Sequence, residues 1–118
     1  MYLVKRGNKY GAKSTEYDGI IYHSKKEAGF AQTLDNLKLA KNASERVVEW
    51  ERQVKIPLKV YGRLIANYYV DFKVKYADGH EAFIEVKGIQ MDVWKMKWKI
   101  LEAIAEKEYP GIDLVVIS

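Results

Sequence analysis

The sequence predicts an α/β domain of α+β-like character, one central mixed β-sheet flanked by two helices. Three observations carry that expectation. A long strand-like run, Leu64 to Tyr76, contains IANYYVDFKVKY and is followed by Ala77-Asp78-Gly79 and a second apolar run ending in FIEVKG. Two segments with helical apolar spacing bracket this β-rich stretch. The resulting order, strand, helix, several strands, helix, strand, implies a mixed sheet with helices against it. At 118 residues the chain has the length of one domain. That length buries a core without metal or disulfide staples.

Each element has its own warrant. Residues 1–15 form a basic arm, and KRGNKYGAKS within it reads as irregular. TEYDGIIYH alternates around Asp18-Gly19, a hairpin signal. Ser24 followed three residues later by Glu27 is a capping box that opens a helix. Phe30, Ala31, Leu34 and Leu37 give that helix its apolar stripe, and it should end near Lys41-Asn42. Val47 to Trp50 and Val54 to Leu58 read as two strands or one irregular strand, with Pro57 pointing to a sheet edge. Tyr61-Gly62 marks a turn before the long strand. His80 to Lys87 returns as its partner, and Gly88 ends it. Asp92 to Glu108 is helical, with Val93, Ile100, Leu101 and Ile104 expected on its inner face, and Pro110-Gly111 stops it. Asp113 to Ile117 closes the chain as a strand.

Composition narrows the function classes. The chain is 48% hydrophobic and 13% aromatic, as folded soluble proteins are. It has no cysteine, so disulfide frameworks and thiolate metal sites are excluded. No apolar run approaches the roughly 20 residues that span a bilayer, so no membrane partner is expected. MYLVKRGNKY lacks the apolar core of a signal peptide, and the expected location is cytoplasmic. Net charge is +4, and residues 1–26 account for it, with six basic residues (Lys5, Arg6, Lys9, Lys13, Lys25, Lys26) against Glu16 and Asp18. A basic arm of this kind suits an acidic polymer such as DNA.

The chemistry centres on YYVDF and FIEVKG. Along a strand, side chains alternate, so Glu85 and Lys87 share a face. Whether Asp71 joins them depends on the hairpin. A two-residue Asp78-Gly79 loop puts Asp71 opposite Val86, whereas a three-residue Ala77-Asp78-Gly79 loop puts it opposite Glu85. The three-residue loop is favoured because Gly79 then fills its left-handed position, and a bulge in either strand would have the same effect. Two opposed carboxylates destabilise a sheet unless they share a proton or hold a cation. Oxygen ligands of this kind suit Mg²⁺, and Lys87 would stabilise charge developing on a phosphate. These are parts for phosphodiester hydrolysis. The plainer alternative is a half-exposed sheet in which Asp71, Glu85, Lys73 and Lys87 form ordinary cross-strand pairs.

Asp71, thirteen intervening residues, then Glu85-Val86-Lys87 on a hairpin between two helices resembles the PD-(D/E)XK nuclease superfamily. NKYGAKSTEYDGIIYHSKKEA looks like a phage-encoded, Holliday junction resolvase-like group within it, over nearly the whole chain. One departure is Val70, where the superfamily pattern has proline. The resemblance implies a restriction-endonuclease-like core. It implies that Asp71 and Glu85 are metal ligands assisted by the Val86 backbone carbonyl, with Mg²⁺ as the ion and Mn²⁺ as a substitute, and that Lys87 is the catalytic lysine. Glu27 matches a further acid of the first core helix, either as a catalytic or metal-binding group or as the partner of Ser24 in the capping box. Lys5, Arg6, Lys9, Lys13, Lys25 and Lys26 are candidate phosphate contacts. Ser24 either touches a phosphate or only caps its helix. The expected activity is Mg²⁺-dependent endodeoxyribonuclease cleavage, most specifically of four-way junctions by a homodimer. The alternatives are a nuclease of the same chemistry with another DNA substrate and a non-catalytic DNA-binding module. Of Tyr68 and Tyr69, one packs and one lies near the site. Trp94 and Trp98, four residues apart, serve as core or as dimer interface.

Overall fold

A computed structural model describes residues 14–88 and 90–118. The fold is α+β. Strands β1 (Thr15–Tyr17) and β2 (Ile20–Tyr22) form a small hairpin. Asp18 and Gly19 at its turn both take positive φ, the pattern of a two-residue primed turn. Helix α1 (Lys25–Asn36) follows and tightens into a 3₁₀ turn, Leu37–Leu39. Strands β3 (Val47–Val60), β4 (Arg63–Tyr76), β5 (Glu81–Val86) and β6 (Asp113–Ile117) form the main sheet in the order β3-β4-β5-β6. Helix α2 (Asp92–Glu108) makes the crossover from β5 to the parallel β6. The other pairings are antiparallel.

The two helices pack on separate clusters. Ala28, Ala31 and Leu34 of α1 meet Tyr22, Val47, Phe72, Val74, Ala82, Ile84 and Val86. Trp98 and Leu101 of α2 meet Ile56, Leu58, Tyr68, Val70 and Phe83. On β4, Phe72 and Val74 therefore face α1, whereas Tyr68 and Val70 face α2. The same even-numbered set of side chains changes helix partner between Phe72 and Val70. Asp71 sits at that change, where the twist of a long ribbon carries one face from one helix to the other. On β3, Gln53 lies between Arg52, paired with Phe72, and Val54, paired with Val70. Its φ is +51°, uncommon for a residue with a β-carbon.

The hairpin register is the one that the three-residue loop requires. Tyr76 N–H donates to the His80 carbonyl at 3.0 Å, and Gly79 has φ +97°. Phe72 pairs with Ile84 and Lys73 with Phe83. One step further, Asp71 stands across from Glu85.

Several expectations need correction. Helix α1 stops at Asn36 rather than near Lys41-Asn42, because its last turn tightens and Asp35 ties it to neighbouring elements. The Asp35 carboxylate accepts from the Tyr17 hydroxyl at 2.6 Å and from Trp50 Nε1 at 2.8 Å. Of the two readings of 47–60, the single irregular strand holds, with register shifts at Val47–Glu49 and past Leu58 and a positive φ at Gln53, and it is the edge strand that Pro57 suggested. Val93 is not on the inner face of α2; it is 62% exposed. The buried stripe is Trp98, Leu101 and Ala105 with Trp94 beside it, rotated because the two stacked indoles, 5.7 Å apart, occupy the space over Tyr68. Tyr68 takes both roles foreseen for the tyrosine pair, while Tyr69 is exposed. Among the described residues, no helix is long and apolar enough to cross a membrane.

Candidate active site

Three carboxylates are buried: Glu27 at 4%, Asp71 at 7% and Glu85 at 2% exposure. Acidic side chains are almost never so buried without a partner, and each here has one. Asp71 and Glu85 meet where the β4–β5 pairing ends. The ladder stops at Phe72 and Ile84, although both strands continue. Side chains take over there. Asp71 Oδ2 accepts the Val86 N–H at 2.8 Å, and Glu85 Oε1 lies 3.4 Å from the Asp71 N–H. Each carboxylate thus satisfies a backbone donor that the opened ladder leaves behind.

Further contacts hold the pair in place. Gln53 Nε2 donates to Asp71 Oδ1 at 3.3 Å. The Tyr68 hydroxyl donates to Glu85 Oε1 and accepts from Trp94 Nε1 at 2.9 Å. Lys87 Nζ lies 3.2 Å from Glu85 Oε2, and 5.4 Å from the centre of the Trp94 ring. The lysine side chain is 28% exposed. It links the buried pair to solvent.

Burial raises the affinity of both carboxyl groups for a proton. For Asp71 the largest cause is desolvation, followed by the charge of Glu27; the Val86 N–H, Lys87 and Gln53 act in the other direction. For Glu85 it is desolvation, then the charge of Asp71, opposed by Tyr68 and Lys87. The Tyr68 phenol is itself pushed well above its usual range, by burial first and then by Glu85. It therefore acts as a fixed hydrogen-bond donor.

Glu27 lies on the other side of the pair. Ser24 Oγ accepts the Glu27 N–H at 3.1 Å, so Ser24 is the helix cap. The Glu27 carboxylate does not complete the box. It turns toward the sheet and pairs with Arg52 at 3.5 Å. Its Oε1 is buried without a hydrogen-bond partner, as is Arg52 Nε. Arg52 also lies 4.6 Å from the centre of the Tyr22 ring, whose hydroxyl is a third orphan. Burial raises the Glu27 pKa, and Arg52 is the main opposing influence.

The structure therefore gathers Asp71, Glu85 and Lys87, with Val86 joined through its N–H, and sets Glu27 alongside on Arg52. Lys25 and Lys26 are exposed in the first turn of α1. Lys5, Arg6, Lys9 and Lys13 lie outside the described residues. Sequence reasoning missed Arg52, Gln53 and Trp94. The signal was present: Glu51-Arg52-Gln53 is a run of three polar residues in a strand that elsewhere alternates polar and apolar.

Two oxygen-donor carboxylates with raised proton affinity fit a hard divalent ion, whose charge would offset their mutual repulsion. Glu27 is held by Arg52 and acts on Asp71 through its charge. Among the described residues, no three acidic or histidine side chains stand close enough to form a metal-holding group by themselves. Mg²⁺ needs only one or two carboxylates, with waters and substrate oxygens completing its shell.

The chain belongs to the DUF1064 family. That family, described as a protein of unknown function, matches residues 7–117. The match covers both helices, all six strands and every residue of the site. No curated protein and no solved structure matches this DUF1064 chain.

Proposed function

We propose that this DUF1064 protein is a divalent-metal-dependent endodeoxyribonuclease, and that its preferred substrate is a four-way DNA junction. One observation carries the nuclease reading: Asp71 and Glu85 are buried face to face at the open end of a β-ladder, with Lys87 between them and solvent. A fold seeking stability alone would place apolar residues there, since opposed buried carboxylates cost free energy. The order of Asp71 and Glu85-Val86-Lys87 resembles the PD-(D/E)XK superfamily, which favours the same reading. The junction preference rests on that sequence resemblance, as does a two-fold homodimer able to cut two strands symmetrically.

In this reading Asp71 and Glu85 would hold Mg²⁺ or Mn²⁺, assisted by the backbone carbonyl of Val86 at the end of the same strand. When bound, such an ion polarises a phosphoryl oxygen and lowers the pKa of a water. The chain's own residues do the rest. Tyr68 and Gln53 fix the two carboxylates. Lys87 donates toward the phosphoryl oxygen on which negative charge develops. Water adds to phosphorus and one P–O ester bond breaks, leaving a phosphate end and a hydroxyl end. Glu27, paired with Arg52, adds a negative charge that raises the proton affinity of Asp71.

Replacing Asp71 or Glu85 by alanine tests this assignment. Cutting should be abolished while DNA binding persists, because phosphate contacts dominate affinity. Cleavage that survives in both variants would remove the site from the mechanism.

A further inference from the structure

The β3–β4 ribbon continues past Asp71 for most of its length. From Val54 to Val70 its even-numbered residues Ile56, Leu58, Tyr68 and Val70 are buried against α2. Its other face is open: Lys55, Pro57, Lys59, Ile65 and Tyr69 are exposed. A register shift past Leu58 pairs Lys59 with Leu64 and Val60 with Arg63, so the exposed Arg63 stands at the tip beside Val60 and not in the row of Lys55 and Lys59. Lys55 is paired across the ribbon with Tyr69, and Pro57 with Asn67. Residues 52–70 contain no aspartate or glutamate. Among the described residues, Lys55, Lys59 and Arg63 form no ion pair. An edge ribbon often carries lysine to discourage strand pairing, but such a role does not require acids to be absent from both strands and from the turn.

We propose that this open face of the β3–β4 ribbon is a docking surface for the DNA backbone, with Lys55 and Lys59 as phosphate contacts on the face, Tyr69 beside them, and Arg63 as a further contact at the exposed tip. Two features favour a nucleic acid over a second copy of the chain. The face is cationic without compensating acids, so a symmetric pairing of two such faces would set like charges together. It also leads to the reacting centre: Tyr69 is two residues from Asp71 on β4, about 7 Å along a strand. A phosphate chain laid along the ribbon thereby runs toward Asp71 along its own strand. The inference deepens the nuclease reading and rests on its choice of DNA as partner.

The test is binding of a fluorescein-labelled four-way junction in chelator, followed by anisotropy from 50 to 300 mM salt. The triple substitution Lys55→Ala, Lys59→Ala, Arg63→Ala should weaken binding at least ~10-fold and reduce the magnitude of the log K–log salt slope by about 2 to 3, near 0.9 per lost phosphate contact. A control triple of equal charge, Lys41→Ala, Lys75→Ala, Lys107→Ala, should retain the wild-type slope. Unchanged affinity and slope in the ribbon variant, or equal losses in both triples, would overturn the proposal. So would a wild-type dimer that sediments as a monomer after the ribbon substitutions, which would make the ribbon a subunit interface. Cleavage with divalent ions is scored separately on the wild type. Ribbon-dependent binding without any cutting refutes the nuclease reading alone, and cutting with ribbon-independent binding refutes this surface alone.

Discussion

Asp71→Asn should stabilise the metal-free protein at pH 8, and the size of the effect follows from the site. The substitution keeps the shape. Asparagine Oδ1 still accepts the Val86 N–H that Asp71 accepts at 2.8 Å, and its NH₂ donates to Gln53 once that amide, which now donates to Asp71 Oδ1, flips to present its Oε1. Lost is one of two buried, mutually repelling charges. Each unit by which folding raises a carboxyl pKa corresponds to ~1.4 kcal/mol, so relief of roughly 1–3 kcal/mol is expected. For a domain of this size that is about 4–6 °C in Tm per kcal/mol. The sign depends on pH. The Asp71 pKa is raised on folding, so the folded state binds the proton more tightly. Its contribution is favourable at acid pH and is lost as pH rises from the unfolded value near 4 through the folded one. The Tm gain of Asp71→Asn over wild type should therefore be near zero at pH 4 and full at pH 8, in chelator. Scanning calorimetry at the two pH values is the assay. A variant that is less stable at pH 8, or equally shifted at both values, would refute a strained carboxylate pair. Added Mg²⁺ should then raise the wild-type Tm and leave Asp71→Asn unmoved, since an ion that binds only the native site stabilises it by mass action.

Three further predictions follow from the neighbours of the pair. Tyr68→Phe removes a donor that lowers the Glu85 pKa and strands Trp94 Nε1–H; it should cost about 1–3 kcal/mol and move the acid limb of the cleavage pH profile upward, and an unmoved limb would count against Tyr68 as a positioning residue. Arg52→Met leaves Glu27 buried without its cation and should destabilise by about 3–5 kcal/mol; Arg52→Met with Glu27→Leu should recover most of that loss in urea unfolding, and no recovery would show that the ion pair is not the reason. Lys87→Met should lower the cleavage rate ~100-fold or more with binding affinity held within a few-fold, whereas a proportional loss of both would make Lys87 a binding residue.

Much of the fold is legible in the sequence because its signals are local. Helix α2 and strand β6 have the predicted bounds, set by Pro110-Gly111 and by apolar runs. The β4–β5 register follows from one glycine at positive φ, and with it the opposition of Asp71 and Glu85. What was hidden depends on tertiary contacts. Glu27 has the spacing of a capping box, but Arg52, twenty-five residues away, draws its carboxylate to the sheet. The inner stripe of α2 is shifted because Trp94 and Trp98 pack on Tyr68, a residue on a distant strand. The left-handed Gln53 has no glycine to announce it; only the break in the alternating pattern of β3 does. The end of α1 is set by Tyr17 and Trp50 holding Asp35, not by a stop residue.

The central claim is that Asp71, Glu85 and Lys87 form a metal-dependent phosphodiesterase site. The most direct measurement is incubation of the purified protein with a four-way junction and with linear duplex of the same sequences, each with Mg²⁺, Mn²⁺ or chelator, and resolution of the products on denaturing gels. The account predicts paired symmetric nicks in the junction with either ion and none in chelator. Equal cutting of the duplex would contradict the junction preference, and intact DNA with every divalent ion would contradict the nuclease itself.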